Sequence, residues 1–282
     1  MFAAVRRTTV SAMQEPAPSP FFDPQEIADA DAFLATGRLV RPVESPADLA
    51  RIRDLVIGAT AEVLHLDVDA TDGFLDGIHR HVDATRLNGL RLHVIDALNR
   101  ADWVRPAYFR LARALLQSIV GNELAMQLRL NLSIQLPGDA SSLLPIHSDT
   151  WSGDSPFEVV VWLPLVDCYG TKTMFLLPPA ASARMHDQFA GSADSEALFR
   201  AVENDLDWLT VRYGEVLLFN QNLPHGNRVN AENETRWTLN CRFKGVFTPY
   251  ADKRLGEFFE PVTLRPASRL GLDYRLPGTA KR

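Results

Sequence analysis

Cysteine is nearly absent: 282 residues contain two, Cys168 and Cys241. Two thiols so far apart do not make the disulfide framework of a small secreted protein, although they could still pair. A reduced, cytoplasmic setting with both thiols buried is the expectation. Positive charge is also short, with 29 Lys and Arg against 35 Asp and Glu and a formal net charge of −6. That argues against a nucleic-acid partner held by bulk charge and against a polybasic membrane surface. No apolar run approaches the length of a bilayer span. The first twenty residues carry two arginines and no acid before Glu15, yet lack an apolar stretch of signal-peptide length. Ending in Pro16, Pro18 and Pro20, residues 1–20 read as a disordered leader. No internal repeat is visible.

What is present is an ordinary globular composition, 46% apolar and 23% charged, long enough for one large domain with a full core. Asp23-Pro24 and Ser45-Pro46 each place a capping residue before proline, the signature of a helix start, and Gly37 supplies a stop. Apolar residues at helical spacing predict helices over about 46–66, 84–100 and 105–120. Residues 21–122 therefore read as a helical support region. The period then shortens to two. Strands are expected at 127–135, 158–165, 173–177, 215–219 and 235–247, with a partly helical insert at 182–208. Residues 123–250 form the expected β core, and 251–282 a proline-containing extension that wraps the surface. The whole is expected to be one structural domain, an antiparallel sandwich or barrel backed by helices.

The chemistry concentrates in two places. In Pro145-Ile146-His147-Ser148-Asp149, an extended chain would send the imidazole of His147 and the carboxylate of Asp149 to one face. Leu223-Pro224-His225-Gly226-Asn227 offers a third ligand in His225. Two His and one carboxylate, with the opposite positions open, is the donor set of a non-haem Fe(II) site. Residues 143–146 are expected to lead into it as a strand, and 151–156 to follow as a polar loop at the mouth. Downstream, Arg236, Thr238, Asn240 and Arg242 alternate with Trp237, Leu239, Cys241 and Phe243. A buried arginine without a partner is costly, so a polar face carrying Arg236 and Arg242 demands an anion opposite. A guanidinium suits a carboxylate because its fork donates two parallel hydrogen bonds. Trp151, Asp154, Lys172 and Arg242 are read as substrate contacts at the mouth, with a solvated rim as the alternative. His79, His81 and His93 lie in the helical block without acid or thiol at ligand spacing and read as solvated surface.

The order His-x-Asp, distal His, then Arg with a hydroxyl residue two further on resembles the Fe(II)/2-oxoglutarate-dependent dioxygenases. More narrowly it resembles the phytanoyl-CoA hydroxylase-like superfamily. The runs HSDTWSGDSPFEVVVWLPLVDCYGTKTMFLLP and LLFNQNLPHGNRVNAENETRWTLNCRFK resemble oxygenases of carbohydrate-biosynthesis clusters. The likeness covers about residues 125–247. It implies an α+β fold: a double-stranded β-helix (jelly roll, cupin-like) with the helical N-terminal part packed against it. It implies His147, Asp149 and His225 as iron ligands, and Arg236 with Thr238 as the grip on 2-oxoglutarate. Gln135, Asn227 and Trp162 are further candidate cosubstrate contacts. The implied reaction uses O2 and oxidises, by hydroxylation in the simplest case, a small polar, carbohydrate-derived metabolite, releasing succinate and CO2. Two other readings stay open: a cupin-like metal-dependent isomerase or lyase, and a non-catalytic sugar-binding jelly roll. A homodimer is neither required nor excluded.

Overall fold

A computed structural model describes residues 20–67, 73–188 and 194–277; the leader, except for its last residue, falls outside them. Helix α1 (Pro24–Thr36) begins as its sequence dictates. The Asp23 carboxylate accepts from the amides of Gln25 and Glu26, Glu26 returns the bond to the Asp23 amide, and Gly37 closes the helix in the left-handed region. Helices α2 (Pro46–Leu64) and α3 (Ala84–Arg100) follow the expected bounds closely.

The helix expected over 105–120 is two helices, α4 (Val104–Arg110) and α5 (Arg113–Ile119). Glu44 makes the break. Its amide donates to the Leu111 carbonyl at 3.0 Å, and its carboxylate accepts from the Ala114 amide at 2.7 Å, capping the second helix from outside. Strand β1 (Arg38–Pro42), absent from the sequence reading, lies between α1 and α2.

The expected strand 127–135 is likewise two, β2 (Leu124–Gln127) and β3 (Asn131–Gln135). Between them the chain leaves its neighbour: the Leu128 amide donates to the Phe258 carbonyl, and the Leu130 amide to the Asn99 side chain. The remaining elements are β4 (Glu158–Pro164), β5 (Phe175–Leu176), α6 (Pro179–Gln188), α7 (Ser195–Val202), β6 (Asp207–Trp208), β7 (Glu215–Asn220), β8 (His225–Gly226), β9 (Arg236–Gly245), β10 (Phe259–Pro261) and α8 (Pro266–Asp273). The C-terminal extension thus contributes a strand, paired with β2, as well as a surface helix. Residues 143–146 form no strand; they are irregular chain leading to a single bridge at His147.

All strand pairs are antiparallel. The larger sheet runs β1–β7–β4–β9–β2–β10, with β3 also paired to β9, and the smaller runs β6–β5–β8. The alternation in β9 decides how the layers stack. Trp237, Leu239, Cys241 and Phe243 are fully buried and join Ile52, Val56, Leu90 and Val94 from the helices in one apolar cluster. Arg236, Thr238, Asn240 and Arg242 face the other way, into a cavity. Helices α6 and α7 cover the smaller sheet through Phe175, Leu177, Met185 and Leu198. Both cysteines are free and buried, and burial pushes each thiol up to about 12. Among the described residues no helix is long and apolar enough to cross a membrane.

One hydrogen bond ties the helical layer to the centre of the sheet. The fully buried Tyr108 hydroxyl of α4 donates to the Val161 carbonyl of β4 at 2.8 Å. Tyr108→Phe removes the donor, while the Val161 carbonyl keeps its place in the sheet ladder, so urea unfolding should show a loss of about 1 kcal/mol with an unchanged m-value. An unchanged midpoint would mean that this bond contributes nothing.

Candidate metal centre

His147 and His225 sit opposite each other in an antiparallel bridge. The His147 amide donates to the His225 carbonyl at 3.0 Å, and the His225 amide donates back at 2.8 Å. Asp149 starts a short 3-10 turn, and its amide donates to the Gln221 carbonyl at 3.2 Å. The ligand pair therefore does not share one strand face, as the sequence suggested; a bridge and a turn bring its members together.

The result is a tight cluster. Nε2 of His147 is 3.4 Å from Asp149 Oδ1, Nε2 of His225 is 4.0 Å from the same atom, and the three ligand atoms lie within 4.8 Å of one another. Adjacent ligands held at about 2.1 Å from one cation stand about 3 Å apart, so a small inward movement completes a site. Each imidazole is already turned. Nδ1 of His147 meets the Pro145 carbonyl at 2.8 Å and Nδ1 of His225 meets the Leu223 carbonyl at 2.9 Å, which leaves both Nε2 atoms facing Asp149.

The electrostatics fit a cation. Burial, aided by the neighbouring His147, pushes His225 down to about 4, which keeps it neutral and able to coordinate. Burial also acts against charge on His147, but the bonds to Asp149 and to the Pro145 carbonyl outweigh it and raise its pKa. Asp149 resists the upward push of burial because His147 and Arg242 hold its carboxyl well below the usual range.

Arg242 plays a different part from the one expected of it. Its Nη2 donates to Asp149 Oδ2 at 2.8 Å and its Nε to Gln221 Oε1 at 2.9 Å, so only Oδ1 of Asp149 is left for a metal. Trp151 is exposed and does not line the cavity. Asp154 is buried and paired with Lys253 at 2.5 Å. Lys172, fully buried, is held by Asp76 at 2.5 Å and Glu234 at 2.6 Å, away from the cavity. None of the three lines the cavity. Sequence gives the charge of a side chain but not its partner, and the charges of Asp154 and Lys172 are each spent on another.

The cavity, about 620 Å³, lies between the two sheets. His147, Asp149, His225, Arg236, Thr238, Trp162 and Asn227 all line it. The Asn227 amide is engaged, accepting from the Leu144 amide and donating to the Ser142 carbonyl. Gln135 lies outside the lining and donates to the Arg228 carbonyl. Ser133 was missed. It sits opposite Thr238 in the β3–β9 register, and its hydroxyl accepts from Arg236 Nη2 at 3.0 Å.

Arg236 is 3% exposed, and no carboxylate lies within ion-pair distance among the described residues. Nη1 donates to the Thr173 carbonyl, while Nε and the Thr238 hydroxyl have no partner. Burial lowers the guanidinium to about 10, still charged at neutral pH. The cavity thus holds a metal-ligand cluster and, from β9 of the larger sheet, an unneutralised cation.

No protein-family model matches the sequence, and no curated protein matches it. Solved structures do match in fold. EctD from S. alaskensis, solved with bound Fe, gives a TM-score of 0.50 at 20% identity over 84% of this chain and 80% of its own. The likeness is one of fold. The apo form of ThoJ, a non-heme monooxygenase, gives 0.50 at 15% identity over 79% of each chain. EvdMO1 gives 0.53 at 15% identity over 78% of this chain and 50% of its own.

Two substitutions test how the cluster is held. Arg242→Lys keeps the charge but loses the fork that bridges Gln221 and Asp149, so anaerobic titration with Mn(II) should show about tenfold weaker binding. Equal affinity would mean that Asp149 needs no such support. Gly226 leaves no room for a side chain: a Cβ there would stand 2.6 Å from the Leu144 carbonyl oxygen and 2.9 Å from Phe175 Cζ. Gly226→Ala should cost about 1–3 kcal/mol of stability by thermal unfolding, because backbone cannot yield as a flexible side chain can. A wild-type melting temperature would show that the neighbouring chain moves aside freely.

Proposed function

We propose that the chain is a non-haem Fe(II)/2-oxoglutarate-dependent dioxygenase on a double-stranded β-helix, acting on a small polar metabolite. The observation that carries this reading is Arg236: a buried guanidinium, uncompensated, in the same cavity as the His147–Asp149–His225 cluster. A metal-dependent isomerase or lyase needs the metal ligands and would call for this cation only with an anionic substrate. A sugar-binding jelly roll needs neither.

The residues fit both groups. His147, Asp149 and His225 would hold Fe(II): two neutral imidazoles and a carboxylate are the ligands of this chemistry, and one face of the metal is left open. EctD, which shares the fold, was solved with iron bound. Arg236 would take the far carboxylate of 2-oxoglutarate, with the orphaned Thr238 hydroxyl donating beside it. Bound iron and 2-oxoglutarate supply the oxidant from O2, with succinate and CO2 as coproducts. The chain's own residues do the rest. Pro145 and Leu223 fix the imidazole tautomers, Arg242 restricts Asp149 to one oxygen, and Trp162, Val160 and Phe219 wall the cavity with apolar surface. Hydroxylation of a carbohydrate-derived substrate is the reaction that the sequence resemblance favours.

Anaerobic addition of Fe(II) and 2-oxoglutarate should give a weak visible charge-transfer band, and admission of air should give succinate. Absence of both would favour the isomerase or lyase, or the non-catalytic sugar-binding jelly roll. Arg236→Gln should raise the Kd for 2-oxoglutarate about 30- to 100-fold, the equivalent of one charge-assisted pair, while Fe(II) affinity stays within threefold. An unchanged Kd would remove Arg236 from the cosubstrate site.

A further inference from the structure

The cavity wall carries three arginines, Arg91, Arg236 and Arg242, against one carboxylate, Asp149. Arg242 is spent on Asp149. Arg236, on the reading above, is neutralised by the far end of 2-oxoglutarate. The other carboxylate offsets only half the charge of a divalent metal, so filling the site does not remove the imbalance. Arg91 is the one arginine of the lining then left without an anion.

Arg91 lies on α3, one turn from Asn88, whose side-chain oxygen accepts from its Nη2 at 2.7 Å. No acid pairs with it among the described residues. It sits at the end of the cavity bordered by α3 and by edge strand β3, where Asn131 donates to Asn240 at 3.0 Å across the β3–β9 register. That bond uses the oxygen of Asn240 and leaves its Nδ2 donors for a ligand. Leu143 and Leu144 line the same cavity and are 36% and 50% exposed. Apolar side chains at the rim of a polar site gain from being covered.

We propose that this open end is the substrate subsite and that it selects an anionic substrate, with a carboxylate or phosphate on Arg91 and a partly apolar body against Leu143 and Leu144. This rests on the oxygenase reading for the use of Arg236. Arginine suits the role because its planar fork binds either anion through two hydrogen bonds, and the Asn240 donors supply a third. The neutral alcohol or amide of the same shape offers Arg91 no charged acceptor, so discrimination comes from the charge-assisted pair.

The test is ligand-observed NMR on the full chain loaded with Zn(II) and excess 2-oxoglutarate, which occupies the Arg236 end. The probes are hexanoate, phenyl phosphate and the neutral hexanamide. At least one anion should bind, with hexanamide at least tenfold weaker. Arg91→Gln should weaken the anion at least tenfold, and Arg91→Lys, which keeps the charge but not the fork, should recover only part of the loss. Binding of neither anion, hexanamide binding as well as hexanoate, or Arg91→Gln within twofold of wild type would each overturn the subsite. The 2-oxoglutarate signals in the same samples keep the two ideas apart. Anion binding that depends on Arg91 while 2-oxoglutarate itself does not bind would leave the subsite standing and remove the oxygenase reading.

Discussion

The centre depends on a pair of backbone hydrogen bonds rather than on any side chain. His147 and His225 exchange amide and carbonyl in both directions, across a segment of the chain that is otherwise irregular and a strand of two residues. Such a short pairing has little stability alone. It is held because β8 also pairs with β5, which is roofed by α6 and α7, and because Gly226 lets the Leu144 carbonyl approach where a Cβ would collide. With the backbone fixed, the Pro145 and Leu223 carbonyls need only orient two rings. Preorganisation of this kind means that a cation meets ligands already aimed, with little conformational entropy left to lose.

Arg242 extends that rigidity outward. Its guanidinium joins Asp149 to Gln221, and Gln221 in turn donates to Glu158 at the start of β4. Asp154, on the loop after Asp149, reaches Lys253 in the C-terminal extension. The carboxylate expected to bind metal is thus anchored to the middle of the large sheet on one side and lies near a tail-to-loop ion pair on the other. A substitution in the tail has a route to the metal ligand that distance along the chain does not disclose.

How much of this could be read from the sequence follows from which forces are local. Helices α1, α2 and α3 were legible because the Asp23 cap, Pro24, Pro46, Gly37 and the spacing of apolar residues act within a few residues of themselves; Ser45, expected to cap α2, makes no capping bond with its side chain. The faces of β9 were legible because strict alternation has one physical meaning when one side is apolar. The break between α4 and α5 was not, since the residue that makes it, Glu44, lies far upstream. Strands β1 and β10 were missed for the same reason: three to five residues become a strand only by pairing with distant β7 and β2. The metal cluster was legible as residue types and order, but its geometry was not, because a turn and a bridge replace the expected strand. Lys172 and Asp154 were misplaced because composition shows charge without partner.

Arg236 and Arg242 form a comparison within one strand. They stand on the same face of β9, both largely removed from water, and the fold treats them oppositely. Burial acts against the charge of each. For Arg242 the carboxylates of Asp149 and Asp154 outweigh it and the guanidinium is held above its ordinary value. For Arg236 nothing comparable opposes it and the value falls to about 10. An arginine that served only the fold would be better replaced by an apolar residue of similar size, a change that is often neutral or stabilising. The unmatched cation is therefore a standing destabilisation, and it is tolerable where an anionic ligand relieves it and returns the cost as binding energy. A metal cluster alone does not distinguish an oxygenase from a metal-dependent isomerase. A metal cluster that shares its cavity with an unneutralised arginine, while a second arginine on the same strand is matched, adds a demand for an anion beside the metal, and the proposed oxygenase reading rests on that demand.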